Sequence, residues 1–391
     1  MRVMYYCQDS VGLGHVRRTI DIANHLAHLD PEVEQLVVSG TPAIGSFARD
    51  YHVDALVLPD WGVTVRQHGR QFETKQRQKA FLLGRQRLRE ALIATAVAHF
   101  APSVMLVDNS PIGVKDELES LLRNLRNGAE RPTLFLGFRD FLNYRENILR
   151  KWHKRDIYNR LRDTYDRIFI FGQREVFDFA EEYAFPPDVM AKTVYCGYVK
   201  NLSIALTPEQ VRTQLGVSAE HLVVVTVGGG DDGGPLLRHA VAMAHDVAMK
   251  DAHIHLVTGP LPPFSGYQEL ANLASAISNL SVERFNPEMH SLLNAADVVV
   301  SMGGYNTMIE VAGLKKRAVI APRQGSGEQA QRAARFAALG LVNLAPVENL
   351  ETSQLVAAVR GSLSAPPPSF RLDLGGLSVV GHEIRAALHP N

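Results

Sequence analysis

The sequence predicts an α/β protein built from two doubly wound parallel-sheet domains. Three observations carry that expectation. The chain has 391 residues, more than one ordinary domain, so two are the natural division. Short apolar strand signals alternate with helical stretches, and this alternation runs through two separate series. A break near residues 197–208 separates the two series.

The first series places strands at residues 2–8, 35–39, 54–58, 103–107, 133–138 and 167–171, with a helix after the first strand running through His28. The second places them at 221–227, 253–258, 280–285, 297–301 and 317–321. Runs such as Val298-Val299-Val300 lack polar alternation and read as strands covered on both faces. The expected division is residues 1–198 and 199–365, followed by a tail at 366–391 that opens on Pro366-Pro367-Pro368 and carries a helix at 379–388. In open α/β sheets ligands bind beyond the carboxyl ends of the strands, so two Rossmann-like domains are expected to face a central cleft with these loops.

An apolar content of 46% supports two full cores, and Lys+Arg equal Asp+Glu at 41 each. No global field draws in nucleic acid, and any charged partner is met by a local patch. Cys7 and Cys196 lack metal-ligand spacing, which argues against a zinc site or a disulfide scaffold. The first apolar run is too short for a signal segment and no stretch approaches a membrane span, so the expectation is a cytoplasmic protein.

Residues 297–329 hold the densest chemistry. Gly303-Gly304 after a buried strand lets backbone amides approach a phosphate, and Asn306 and Thr307 sit where a helix N-cap is expected. A helix start carries unpaired N–H groups and partial positive charge, which suits a diphosphate. Glu310, one turn along, can accept hydrogen bonds from a ribose diol. Arg323 follows the next strand and could supply further charge to a leaving diphosphate. The same stretch also fits an ordinary βαβ unit with a glycine turn.

In the first domain, Gly12-x-Gly14-His15 lies between the first strand and the first helix. It fails as a dinucleotide fingerprint because Arg17 replaces the third glycine. His15 titrates near neutrality and suits a general base, with Asp108 at the end of the fourth strand as its carboxylate partner. Asp140, in Phe138-Arg139-Asp140, is the alternative acid. The plainer alternative is that His15 caps its helix and Asp108 serves a turn.

Gly304-Tyr305-Asn306-Thr307-x-x-Glu310 resembles the G-W-N-S-x-x-E core of nucleotide-sugar-dependent glycosyltransferases of the B fold (GT-B), including family 28, the lipid II-forming enzymes, and family 1. The resemblance implies that Glu328 and Gln329 hold the donor sugar, that Tyr305 lines the donor site, and that the glycine-rich loop with Gly229 and Gly230 holds the diphosphate. It implies that the segment around His15 faces the acceptor, with Gly14, Arg139 and Asp140 on that side, and that the last helix crosses back to the first domain. Metal and cofactor are dispensed with, the co-substrate being a nucleoside diphosphate sugar, UDP-linked by preference. Two departures stand out: Met302 occupies the place of a histidine, and Tyr305 that of tryptophan. A nucleotide-sugar hydrolase or epimerase on the same fold, or a non-catalytic sugar-nucleotide-binding subunit, fits the same motif.

Two basic runs, residues 66–89 and 145–162, belong to the acceptor side. They suggest an anionic acceptor or peripheral contact with anionic lipid, and Trp152 and Tyr158 in the second run are expected on a contact surface.

Overall fold

The computed structural model describes residues 1–7, 14–41, 44, 53–61, 74–128, 131–228, 233–259, 266–346 and 349–390. They form two compact units. The first comprises Met1–Asp140, Arg145–Val199 and Asp373–Asn391; the second comprises Phe141–Tyr144 and Lys200–Leu372.

The first unit holds a seven-stranded, all-parallel sheet: β1 (Arg2–Cys7), β2 (Glu34–Ser39), β3 (Asp54–Val57), β4 (Val104–Asp108), β5 (Thr133–Arg139), β6 (Arg167–Phe171) and β7 (Thr193–Tyr195). Its order is β3-β2-β1-β4-β5-β6-β7. The central strands are buried on both faces: Val3, Met4, Tyr5 and Cys7 are all closed to solvent, as are Val104, Met105 and Val107. β-branched and aromatic side chains fit such a two-sided strand, and polar ones would strand unpaired groups. The helix Gly376–Leu388 closes the unit against the helix Gly14–Leu29. Gly381 is required at that contact, because a Cβ there would lie 2.7 Å from the His25 ring.

The second unit holds six parallel strands: β8 (His221–Thr226), β9 (Ala252–Val257), β10 (Leu280–Glu283), β11 (Val298–Ser301), β12 (Arg317–Ile320) and β13 (Asn343–Leu344), in the order β10-β9-β8-β11-β12-β13. β8 and β11 pair in register from Val223↔Val298 to Thr226↔Ser301.

Both sheets reverse winding direction at one place, between β1 and β4 in the first and between β8 and β11 in the second. Chains leaving those neighbouring strands run to opposite sides and open a crevice at the carboxyl ends. His15 follows β1 and Asp108 ends β4, while Gly228 follows β8 and Gly303 follows β11. The fold therefore gathers the chemically suggestive residues at the two switch points.

Among the described residues, no helix is long and apolar enough to cross a membrane. Trp152 corrects an expectation. It is 7% exposed and packs in an aromatic cluster with Phe138, Tyr158, Tyr183 and Phe185. The amphipathic helix Arg145–Lys154 turns this ring inward, so Trp152 is core and not a contact surface. Several arginines of the same basic run are engaged within the unit: Arg155 with Asp116, Arg160 with Glu119 and Arg162 with Asp163.

Candidate functional site

In the first unit, the helix Gly14–Leu29 begins at Gly14 and turns His15 and Arg18 onto one inward face, three residues apart. Both meet Asp108. His15 Nδ1 hydrogen-bonds Asp108 Oδ2, and Arg18 Nη2 lies 2.5 Å from Asp108 Oδ1. The Arg18 guanidinium also lies 5.1 Å over the Phe171 ring. All three polar groups are buried: His15 is 3% exposed, Arg18 1% and Asp108 5%. With Nδ1–H donated to the carboxylate, the lone pair is left on Nε2, the arrangement a general base requires.

The electrostatics agree. Burial pushes His15 below its ordinary pKa; Asp108 pulls it up, and Arg139 and Arg18 oppose that pull, leaving a net lowering. Burial alone would raise Asp108, but Arg18 and His15 outweigh it and hold the carboxyl well below its usual range. An ionised aspartate thus backs a neutral imidazole. Asp140 is 2% exposed and is not the residue bonded to His15. Arg139 ends β5, its amide 3.4 Å from Asn109 Oδ1.

In the second unit, β11 ends at Ser301 and Gly303 takes φ +77°. That left-handed conformation favours glycine, and a Cβ would lie 3.1 Å from Ile320 Cγ2. Gly304 (φ −62°, ψ 146°) is the N-cap of the helix Tyr305–Gly313, and no side chain caps it. This corrects the expectation that Asn306 and Thr307 provide the cap: the glycine turn starts the helix two residues earlier. The first helical hydrogen bond is Met308 N–H to Gly304 O. The amides of residues 305–307 therefore precede the ladder, at the positive end of the helix dipole. Gly229 and Gly230 lie outside the described residues.

Glu310 lies on the inward face of this helix, 3% exposed. The Lys200 ammonium is 2.7 Å from its Oε1, and His290 Nε2 is 3.4 Å from the same oxygen. The expectation of a carboxylate held open for a ribose is thereby corrected: the carboxylate is buried and its Oε1 is met from within the unit by Lys200 and His290. Burial would raise the Glu310 carboxyl, but Lys200 and His290 hold it far below its usual range.

The loop after β12 leads to the helix Gly327–Ala338, capped by Ser326. Gln329 Oε1 accepts the Arg323 N–H at 3.1 Å, which closes the loop, while the Arg323 side chain is exposed. Glu328 pairs with Arg332 at 2.8 Å. Arg332 is closed to solvent, lies 5.4 Å over the Tyr305 ring and 5.5 Å over Phe141, and donates to Gly303 O at 3.4 Å. A buried guanidinium thus braces the glycine turn from beneath.

Sequence reasoning missed Arg18, Lys200, His290 and Arg332. For two of them a local signal existed, since Arg18 sits at i+3 from His15 and Arg332 at i+4 from Glu328. Lys200 and His290 are joined to Glu310 only by the fold.

These pairs predict a pH profile of stability. A histidine with a depressed folded pKa binds fewer protons than in the unfolded chain, so its contribution is full above about pH 6.5 and is lost as pH falls. Asp108 and Glu310, depressed in the same sense, add a second loss beginning near about pH 4. Urea midpoints across this range are expected to fall in two stages, and His15→Ala to shrink the upper stage, to which the lowered His25 and His253 also contribute. A midpoint that rises between neutral and mildly acidic pH would contradict the burial of a neutral His15.

Residues 223–370 match the family model for the glycosyltransferase family 28 C-terminal domain. No curated protein sequence matches the chain. Among solved structures, the calicheamicin glycosyltransferase CalG4 aligns over 99% of this chain and 98% of its own, with a TM-score of 0.67 at 16% identity. UGT2 of Phytolacca americana, solved with UDP-2fluoro-glucose and pterostilbene, aligns over 99% and 93%, with a TM-score of 0.65 at 11% identity. The UDP-GlcNAc 2-epimerase of Neisseria meningitidis, bound to UDP-GlcNAc, aligns over the full length of both chains with a TM-score of 0.57 at 11% identity. The architecture is the two-domain GT-B fold.

Proposed function

We propose that this chain, whose second unit carries a glycosyltransferase family 28 C-terminal domain, transfers a sugar from a nucleoside diphosphate sugar, UDP-linked by preference, to a hydroxyl acceptor with inversion. The observation that carries the proposal is the uncapped helix start at Gly304, inside the matched domain and at the switch point of its sheet.

In this reading the amides of residues 305–307 receive the diphosphate, aided by the turn at Gly228; the expected part of Gly229 and Gly230 lies outside the described residues. The ribose hydroxyls meet the Glu310 carboxylate, displacing part of its contact with Lys200 and His290. Glu328 and Gln329 contact the sugar, and Tyr305 and Arg332 keep the turn in place. His15 Nε2 takes the acceptor hydroxyl proton as that oxygen attacks the anomeric carbon. The bond from that carbon to the β-phosphate oxygen breaks, and the nucleoside diphosphate leaves with the electron pair. Asp108 steadies the imidazolium that forms. The scheme calls for neither metal nor cofactor.

Binding is tested first. UDP at about a hundred times its Kd is expected to stabilise the protein by about 2.7 kcal/mol, read as a rise in melting temperature that uridine alone does not reproduce. No shift with any nucleoside diphosphate would overturn the proposal. The full-length alignment with an epimerase favours a second reading, chemistry on the nucleotide sugar without an acceptor. NMR of UDP-sugars incubated without acceptor separates the two: rapid turnover supports the second reading, slow turnover the first.

A further inference from the structure

The loop that leaves β4 after Asp108 is strained and carries charge that its surroundings do not balance. Asn109, Lys115 and Asp116 all adopt left-handed φ, at 62°, 51° and 68°, a conformation that non-glycine residues keep only when their surroundings hold them there. The strain places the Lys115 ammonium 4.3 Å from the centre of the Trp61 ring. A second cation, the Arg89 guanidinium, lies 4.9 Å from the same ring. Two positive groups therefore share one indole.

Among the described residues their one close carboxylate is Glu117, and it is spent on Arg89. It is closed to solvent, bonded to Arg89 Nε and Nη2 at 2.5 and 2.8 Å, and accepts the Tyr6 hydroxyl at 2.5 Å. Asp116 is turned to Arg155 at 2.9 Å. Asp60, the exposed neighbour of Trp61, forms no ion pair with Lys115 among the described residues. One positive charge is left over. Burial and the field of Arg89 lower the Lys115 pKa, with Glu117 opposing, as expected of a cation short of a counter-charge.

Trp61 supplies an independent observation. The residue is 4% exposed, yet its Nε1–H finds no acceptor among the described residues. Buried indole N–H groups ordinarily have a partner, and one left without it asks for an explanation. An orphan donor beside an unbalanced ammonium is the complement of an oxyanion.

We infer that Trp61 Nε1 and Lys115 Nζ bind the oxyanion of a ligand, a carboxylate or a phosphate. Trp61 follows β3 and Lys115 follows β4, at the same carboxyl edge of the sheet as His15 and Asp108. The ligand class that fits is a hydroxyl acceptor bearing an anionic group. The anion site stands on its own geometry; its assignment to the acceptor rests on the function proposed above.

The chain has only two tryptophans, Trp61 and Trp152, and the latter lies in the aromatic core, so indole emission can report the site. The full chain is titrated with glycerol 3-phosphate, with glycerate and with glycerol, at constant ionic strength set by chloride. A saturable emission change with one or both anions, and none with glycerol, is expected. The stronger anion identifies the oxyanion as phosphate or carboxylate. Lys115→Met should weaken binding about tenfold, and Trp61→Phe should abolish the emission change. Because Lys115 is exposed, its variant serves even if Trp61→Phe folds poorly. No saturable change, an equal response to glycerol, or binding unaltered in Lys115→Met overturns the inference. UDP binding measured in parallel separates the two claims: retained UDP binding with no anion response sinks only this site, and the converse sinks only the donor reading.

Discussion

His15→Ala is expected to lower kcat for sugar transfer by about 10²–10⁴-fold while leaving UDP affinity within about twofold of the parent. The expectation follows from the division of labour between the units. The imidazole belongs to the first, where its Nδ1 is committed to Asp108 and its Nε2 is the only basic site it retains. The diphosphate cradle proposed above is built from residues of the second unit. Steady-state kinetics with titration calorimetry on the same preparation check both halves. If turnover survives while the fold and UDP binding are intact, the base is another residue. Asp108→Asn should act in the same direction with a loss of stability as well, since it removes the counter-charge of a buried Arg18.

Arg332→Met is expected to cost about 3 kcal/mol of stability and to weaken UDP binding at least about tenfold. The guanidinium is closed to solvent and unites three features: the Glu328 carboxylate, the Gly303 carbonyl and the Tyr305 ring. Methionine fills much of the volume but makes none of the polar contacts, so Glu328 loses its contact with Arg332 and the glycine turn its brace. Glu328 keeps some exposure, which places the cost at the lower end for a broken buried pair. Urea unfolding with UDP titration tests this. Normal UDP affinity in a destabilised variant would mean that Arg332 serves packing alone.

The architecture was largely legible because two-sided burial leaves a plain mark. Strands such as β6, read at residues 167–171 and observed as Arg167–Phe171, are apolar runs between turn residues. The two unforeseen strands, β7 (Thr193–Tyr195) and β13 (Asn343–Leu344), are short edge strands with too few residues to show a pattern. The helix start was misplaced by two residues because Asn306 and Thr307 have the chemistry of caps, whereas the backbone at Gly304 decides where the ladder begins.

The candidate site was legible at its landmarks and not in its supports. His15 and Asp108 could be paired beforehand because doubly wound sheets bring the ends of particular strands together. Arg18 and Arg332 carry only the helical spacing to His15 and Glu328 as a sign, and nothing in the sequence marks their guanidinium groups as buried. Lys200 occupies Glu310 across 110 positions of chain, a pairing that only the folded unit reveals. Trp61 is the same case: only the structure shows a buried indole N–H without an acceptor among the described residues.

The account turns on where a nucleoside diphosphate sits, and a crystal structure of the protein with UDP is the most direct measurement of that. The diphosphate oxygens are expected within about 3.2 Å of the amides of residues 305–307, with the ribose hydroxyls on Glu310. A diphosphate held elsewhere in the second unit, or a Glu310 carboxylate still closed off by Lys200 and His290 with the nucleotide bound, would contradict it.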